Sequence, residues 1–226
     1  MDFLYILGIV VIVEDNVNNI NSHAFKGCTG LTSVIIGNSV TSIGRDVFEN
    51  CSGLSAITIP ESVTHIGGNL GNTIKEVTIN SKLIEVDHNS YGSSLFIGYS
   101  KIIIGNNITK IGEMAFCYYT GSVIQNISIS DSVVEIGEYA FRGCEELKEV
   151  TIGRGIKEIH KSVFTECSKL TSVYCKATTP PTVNYYIFDD SPVQNIYVPT
   201  ESVDEYKATT NWKKYADIIV GYDFDE

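Results

Sequence analysis

Positive charge is scarce in this chain. Sixteen Lys and Arg stand against 27 Asp and Glu, for a net charge of −11, and no basic cluster interrupts the excess. Such a surface repels phosphate backbones, so nucleic acid is not an expected partner. Long apolar runs are missing too. The most apolar stretch, residues 3–13, falls well short of the roughly 20 residues that cross a bilayer as a helix. It has neither the basic start nor the small-residue cleavage site of a leader, and Glu14 and Asp15 follow it, so it reads as a strand with its lead-in. There are only four histidines, His23, His65, His88 and His160, and no CxxC or HExxH. No phosphate-binding loop, dinucleotide fingerprint or GxSxG elbow occurs either. No metal, cofactor or catalytic residue is therefore expected, and acidic pairs such as Glu145-Glu146 and Asp189-Asp190 read as solvated surface.

What the chain has instead is a repeat. Residues 31–53, LTSVIIGNSVTSIGRDVFENCSG, recur as LSAITIPESVTHIG from Leu54 and as LKEVTIGRGIKEIHKSVFTECSK from Leu147. With Leu31 as position 1, apolar residues fall at 4 and 6 (Val34, Ile36), at 10 and 13 (Val40, Ile43) and at 18 (Phe48), with Gly44 at 14 and Cys51 at 21. Repeat starts follow at Gly8, Leu31, Leu54, Ile74, Tyr99, Ile124, Leu147, Leu170 and Val193, mostly 23 residues apart. The alternation at positions 4 and 6 is β-branched and of period two, so each turn contributes a short strand, and successive strands align into one parallel sheet. A single turn buries too little to offset the entropy of ordering it. Stacking covers each turn on both sides, which predicts a solenoid of about nine turns capped at its end.

The other half of each turn carries the fill of the core. Phe25, Phe48, Phe116, Phe141 and Phe164 all stand at position 18, in what reads as a short helical or irregular turn opposite the strand. Position 14 holds Gly44, Gly67, Gly112 and Gly137, with Asn21, Asp87 and His160 elsewhere. These residue types tolerate positive φ, so a left-handed corner is expected there, and His160 takes its place for that reason rather than for catalysis. Cys28, Cys51, Cys144 and Cys167 share position 21. One cysteine per turn at one position predicts a buried column of free thiols. Turns about 5 Å apart leave a Cys28–Cys51 disulfide within reach as the alternative.

Two segments depart from the ruler. Residues 74–98 lack the Phe and Cys marks, with Tyr91 near the Phe place, and in residues 176–193 Pro180-Pro181 replaces the corner while Phe188 arrives one residue late. Beyond Pro199 the pattern stops. Ser202 and Glu205 have capping-box spacing, and Val203, Tyr206, Trp212, Tyr215 and Ile218 make an apolar set, which predicts a small helical cap. The expected division is a solenoid over 1–199 and a C-terminal cap over 200–226. The N-terminal end shows no equivalent cap, so weak self-association through that sheet edge is expected.

Strand residues at positions 3 and 5 point away from the core and stack into a surface. On this face Glu76, Lys101, Asn126, Glu149 and Asn195 occupy position 3, while Tyr174 and Tyr197 occupy position 5 of adjacent turns. Paired exposed tyrosines are good anchors for proteins or sugars. These seven residues are the candidate ligand-binding set.

The LxxVxIPxSVTSIGxxAFxGC pattern, standing here as LTSVIIGNSVTSIGRDVFENC and LSAITIPESVTHIG, resembles the BspA-like leucine-rich repeats of bacterial surface proteins. The endings TSVYCKATTPPT and IYVPTESVDEYKATTNWKKYADIIVGY are similar to the terminal repeat and cap of secreted members. The resemblance implies a noncatalytic cell-surface or secreted module that adheres to a host protein, matrix component or glycan. Two rival readings stand beside it: a spacer displaying another domain, and an enzyme with its site in residues 74–98 around Asp87 and Tyr91.

Overall fold

The computed structural model describes residues 8–81, 99–117 and 124–224. Within them the repeat closes into a coil of parallel strands. The strands at positions 3 to 6 include Leu31–Ile36, Ala56–Ile59, Glu76–Ile79, Lys101–Ile104, Asn126–Ile129, Glu149–Ile152, Ser172–Cys175 and Asn195–Pro199. From Ala56 onward these seven strands form one parallel sheet, in which Ile219–Tyr222 is the eighth strand, and Ile9–Val13 pairs separately with Leu31–Ile36. The register is strict: Ile127 faces Ile102 on one side and Val150 on the other. Inward residues are buried and outward ones exposed in alternation, as in Asn126–Ile129. The period-two reading of positions 4 and 6 thus describes the sheet, and the fold is a β-solenoid of the leucine-rich-repeat kind.

The corner at positions 12 and 13 is itself a strand. Asn19–Ile20, Ser42–Ile43 and His65–Ile66 form one narrow parallel ladder, and Lys110–Ile111, Glu135–Ile136, Glu158–Ile159 and Thr182–Val183 form another. The segment around each Phe, expected to include short helical turns, forms no helix among the described residues. Its amides alternate. Those of Ala24, Lys26 and Cys28 bond back three residues within the turn, while those of His23, Phe25 and Gly27 reach carbonyls of Arg45, Val47 and Glu49 in the next turn. Tyr139, Phe141 and Gly143 repeat the second pattern toward Lys161, Val163 and Thr165. Hydrogen bonds between turns thereby replace those a helix would make within itself.

That alternation moves the left-handed residues. Most lie at position 16 (His23, Asp46, Met114, Tyr139, Ser162) and position 20 (Gly27, Asn50, Gly143, Glu166), with Tyr186 and Asp190 one residue late in the turn of Phe188 and Asn211 in the cap, and not at position 14 as expected. Glycine at 14 answers a different need, close approach between turns. A Cβ on Gly44 would stand 2.3 Å from the Ser22 amide nitrogen, and one on Gly137 2.7 Å from that of Glu113.

The core is one continuous column of buried apolar residues. Phe116, Phe141, Phe164 and Phe188 stack ring on ring with centroids 5.0–5.8 Å apart, and Phe25 stacks on Phe48 at 5.6 Å. Between the two stacks the fully buried Tyr99 fills space, and its hydroxyl accepts the Leu70 N–H at 3.2 Å. All six cysteines are free. Cys51, Cys144 and Cys167 are buried, and their thiols donate to the carbonyls of Phe25, Phe116 and Phe141 one turn back. Cys28 departs from the expected buried column: it lies in the first repeat, where no earlier described turn covers it, and is exposed.

At the C-terminal end a 3-10 turn, Thr200–Ser202, leads into helix α1, Val203–Ala208, then a second 3-10 segment, Lys213–Ile218, and the strand Ile219–Tyr222. The expected Ser202 capping box does not form. No side chain caps α1, and the Ser202 hydroxyl instead donates to the Thr178 carbonyl at 2.7 Å. The reason is general to this end of the coil. The final turns have carbonyls with no further turn to satisfy them, and a buried unpaired carbonyl costs more than a missing cap. Tyr206 Oη donates to Ala177, Trp212 Nε1 to Pro181 and Asn211 Nδ2 to Val183, each at 2.8 Å. Tyr206 and Trp212, both fully buried, meet edge to face. The cap is also more than helical, because Ile219–Tyr222 extends the main sheet parallel to Asn195–Pro199.

The N-terminal end differs. Ile9, Val10, Ile12 and Ile35 are each more than half exposed, and a recess of about 460 Å³ opens among Val11, Val13, Val17, Ile20 and Phe25. No helix among the described residues is long and apolar enough to cross a membrane.

Candidate functional site

The outward face of the sheet gathers aromatic rings at one place. Thr151, Tyr174, Tyr197 and Val220 follow one another in register on four adjacent strands. Strands about 4.8 Å apart bring successive rings to stacking distance, and Tyr174 lies on Tyr197 with centroids 4.6 Å apart and planes 14° apart. Tyr222 shares the outward parity of Val220 and turns back across the pair, 5.5 Å from Tyr174 and 5.6 Å from Tyr197, edge-on to both. Phe224 continues the cluster 4.8 Å from Tyr222.

A groove of about 540 Å³ runs beside these rings. Glu149, Thr151, Tyr174, Lys176 and Tyr222 line it together with Asp223 and Phe224. Thr151, in register with Tyr174, is small and lines the groove beside the Tyr174 ring. Burial, and then the nearby Glu149, push the Tyr174 phenol above its ordinary range. Lys176 Nζ lies 6.0 Å from the Phe224 ring centroid.

Of the seven residues expected from the sequence, the groove brings together Tyr174 and Glu149, with Tyr197 supporting Tyr174 from behind. The other four lie apart from it. Asn195 is in register with Ser172 on the far side of Tyr174's strand. Asn126, Lys101 and Glu76 continue the position-3 column toward the N-terminus, where Lys101 and Glu76 pair with each other at 3.0 Å. Lys176, Tyr222, Asp223 and Phe224 were not anticipated. A signal for Tyr222 exists, since Ile219 follows Ile196 by the repeat length of 23 and pairs with it; the helical segment between them hides it. Asp87 and Tyr91 lie outside the described residues.

Other titratable groups form surface ion pairs. His23, Asp46 and Glu49 bring potential ligand atoms within 4.8 Å of one another. Lys26, 2.6 Å from Glu49, and Arg45, 3.3 Å from Asp46, already neutralise both carboxylates. The hydrogen bond from Lys26 holds Glu49 below the usual carboxylate range, and that from Lys110 does the same for Glu135. His160 shares Glu135 at 3.1 Å. Asp189 pairs with Lys214 at 3.2 Å.

Comparison with known proteins agrees with this architecture. A family model described as BspA type Leucine rich repeat region matches six copies over residues 9–119 and 96–210. No curated protein matches the chain. Among solved structures, a leucine-rich cell-surface protein of Faecalibacterium prausnitzii is 24% identical over 86% of this chain, with a TM-score of 0.42. This chain spans 54% of that protein's length. A leucine-rich-repeat protein of T. pallidum is 21% identical over 93% of this chain and 82% of its own, with a TM-score of 0.40. With repeat marks, register and family model in agreement over most of its length, the chain belongs to the BspA-type leucine-rich-repeat family.

Proposed function

We propose that this chain is a noncatalytic binding module, displayed on or released from a bacterial cell surface, that adheres to an extracellular protein, matrix component or glycan through the C-terminal end of its sheet face. The observation that carries the reading is the Tyr174, Tyr197 and Tyr222 cluster beside an open groove. Rigid aromatic rings supply contact area at little entropic cost, and the sheet beneath holds them in place before a ligand arrives. Family membership supports adhesion as the general role. Among the described residues, the carboxylates that shift, Glu49 and Glu135, both move down; this suits ion pairs and is the reverse of what a general acid needs.

The test is binding of the purified chain to an array of host matrix proteins and glycans beside a Tyr174→Ala/Tyr197→Ala variant. Saturable binding that the variant loses supports the module and its face. Binding to nothing favours a spacer.

A further inference from the structure

The groove carries charges of both signs, with one carboxylate in excess, and this narrows its ligand. Glu149 and Asp223 bring two carboxylates to its rim and Lys176 one ammonium. An adjoining recess of about 340 Å³ shares Lys176 and Asp223 and adds Arg154 and Glu201. A strongly charged ligand of either sign would meet repulsion along with attraction. A ligand cation would also find the Phe224 ring approached by the chain's own Lys176. An apolar ligand would strip water from Glu149 and Lys176 and offer them nothing in return.

What fits is a neutral ring that is apolar on its faces and polar at its edge. A pyranose presents C–H bonds on a face and hydroxyls around the rim, and each hydroxyl both donates and accepts. The groove offers the matching halves. The rings of Tyr174 and the exposed Tyr222, set edge to face, form an aromatic corner in the groove. Carboxylate acceptors, an ammonium donor and the Thr151 hydroxyl stand at the rim. We propose that this groove binds the uncharged end of a glycan, with a pyranose ring seated in the corner between Tyr174 and Tyr222 and its hydroxyls bonded to Glu149, Asp223, Lys176 and Thr151. The proposal rests on the binding-module reading and names its ligand class.

The experiment uses the full chain on immobilised oligosaccharides ending in galactose, glucose, mannose or N-acetylglucosamine, each beside a sialylated or sulfated counterpart, with the matrix-protein array in parallel. Saturable binding to at least one neutral glycan is expected. Tyr222→Ala or Tyr174→Ala should weaken it about tenfold or more, the loss of one stacking contact with its buried area. Tyr222→Phe, which keeps the ring, should stay within about threefold, and Tyr185→Ala, at an exposed tyrosine outside the groove, should match the unsubstituted chain. Thermal melting of each variant separates lost binding from lost folding. Binding confined to charged glycans overturns the ligand class, and so does matrix-protein binding with no glycan bound; the module reading survives both. Neutral-glycan binding untouched by both alanine variants overturns the groove. Silence on both arrays removes this proposal and the module reading together.

Discussion

Ser191 Oγ donates to the Phe164 carbonyl at 2.6 Å, the same bond that Cys167 Sγ makes to the Phe141 carbonyl at 3.2 Å. Both donors stand three residues after a stacked phenylalanine, Phe188 and Phe164 respectively. The late Phe188 carried its partner position along with it, so the column at position 21 is a column of small hydrogen-bond donors. Cysteine fills it in four turns, at Cys28, Cys51, Cys144 and Cys167, because a thiol is small, tolerates burial and, where buried, still donates to the carbonyl behind it.

Serine should therefore replace these cysteines better than alanine does. Cys144→Ala removes the thiol's hydrogen bond to the Phe116 carbonyl and is expected to cost about 0.5–1.5 kcal/mol in urea unfolding. Cys144→Ser should lose less. An alanine variant as stable as the serine one would show that packing, not the donor, selects the residue.

The buried thiols also give the fold an alkaline limit. Burial pushes Cys167 from the usual 9.0 up to about 12 and Cys117 to about 11, and raises Cys144 and Cys175 as well. Burial raises Tyr99 and Tyr206 in the same direction. Above pH 9 the unfolded chain releases protons that the folded chain keeps, so this contribution is fully present below pH 9 and falls as pH rises toward 12. Urea midpoints should decline steadily over that window. Thiol labelling of the folded protein at pH 8 should modify Cys28 first, and rapid labelling of Cys144 would contradict its burial.

Glycine at position 14 should be intolerant for steric reasons. Gly137→Ala places a Cβ 2.7 Å from the Glu113 amide nitrogen and is expected to cost about 1–3 kcal/mol through displacement of the adjacent turn. Gly27→Ala meets nothing within 4 Å and bears only its φ of +76°, about 1–2 kcal/mol. Chemical unfolding of the two variants compares crowding with backbone strain.

Trp212 should hold the C-terminal end closed. Trp212→Ala empties a fully buried site and frees the Pro181 carbonyl, for a loss of about 3–5 kcal/mol. Limited proteolysis should then cut first between residues 200 and 218. Unchanged resistance would mean that the strand Ile219–Tyr222 suffices to anchor the cap.

The repeat, the sheet, the stacked phenylalanines and the outward tyrosine pair were all legible in the chain, because each turn meets the same local demands and writes them at the same positions. Val34 and Ile36, or Val150 and Ile152, announce a half-buried strand without reference to any neighbour. Other features depended on partners distant in sequence. Most left-handed residues sit at positions 16 and 20, where amides must reach carbonyls of the next turn. Ser202 bonds to Thr178 instead of capping α1, since the last turn's open carbonyl is the costlier group to leave unpaired. Tyr222 and Phe224 join Tyr174 only once the cap has folded and Ile219–Tyr222 has paired with the sheet. Local side-chain chemistry repeated at a fixed period specifies a solenoid; its ends and its groove arise where that repetition stops, because unpaired backbone and uncovered surface must there find partners that no local pattern names.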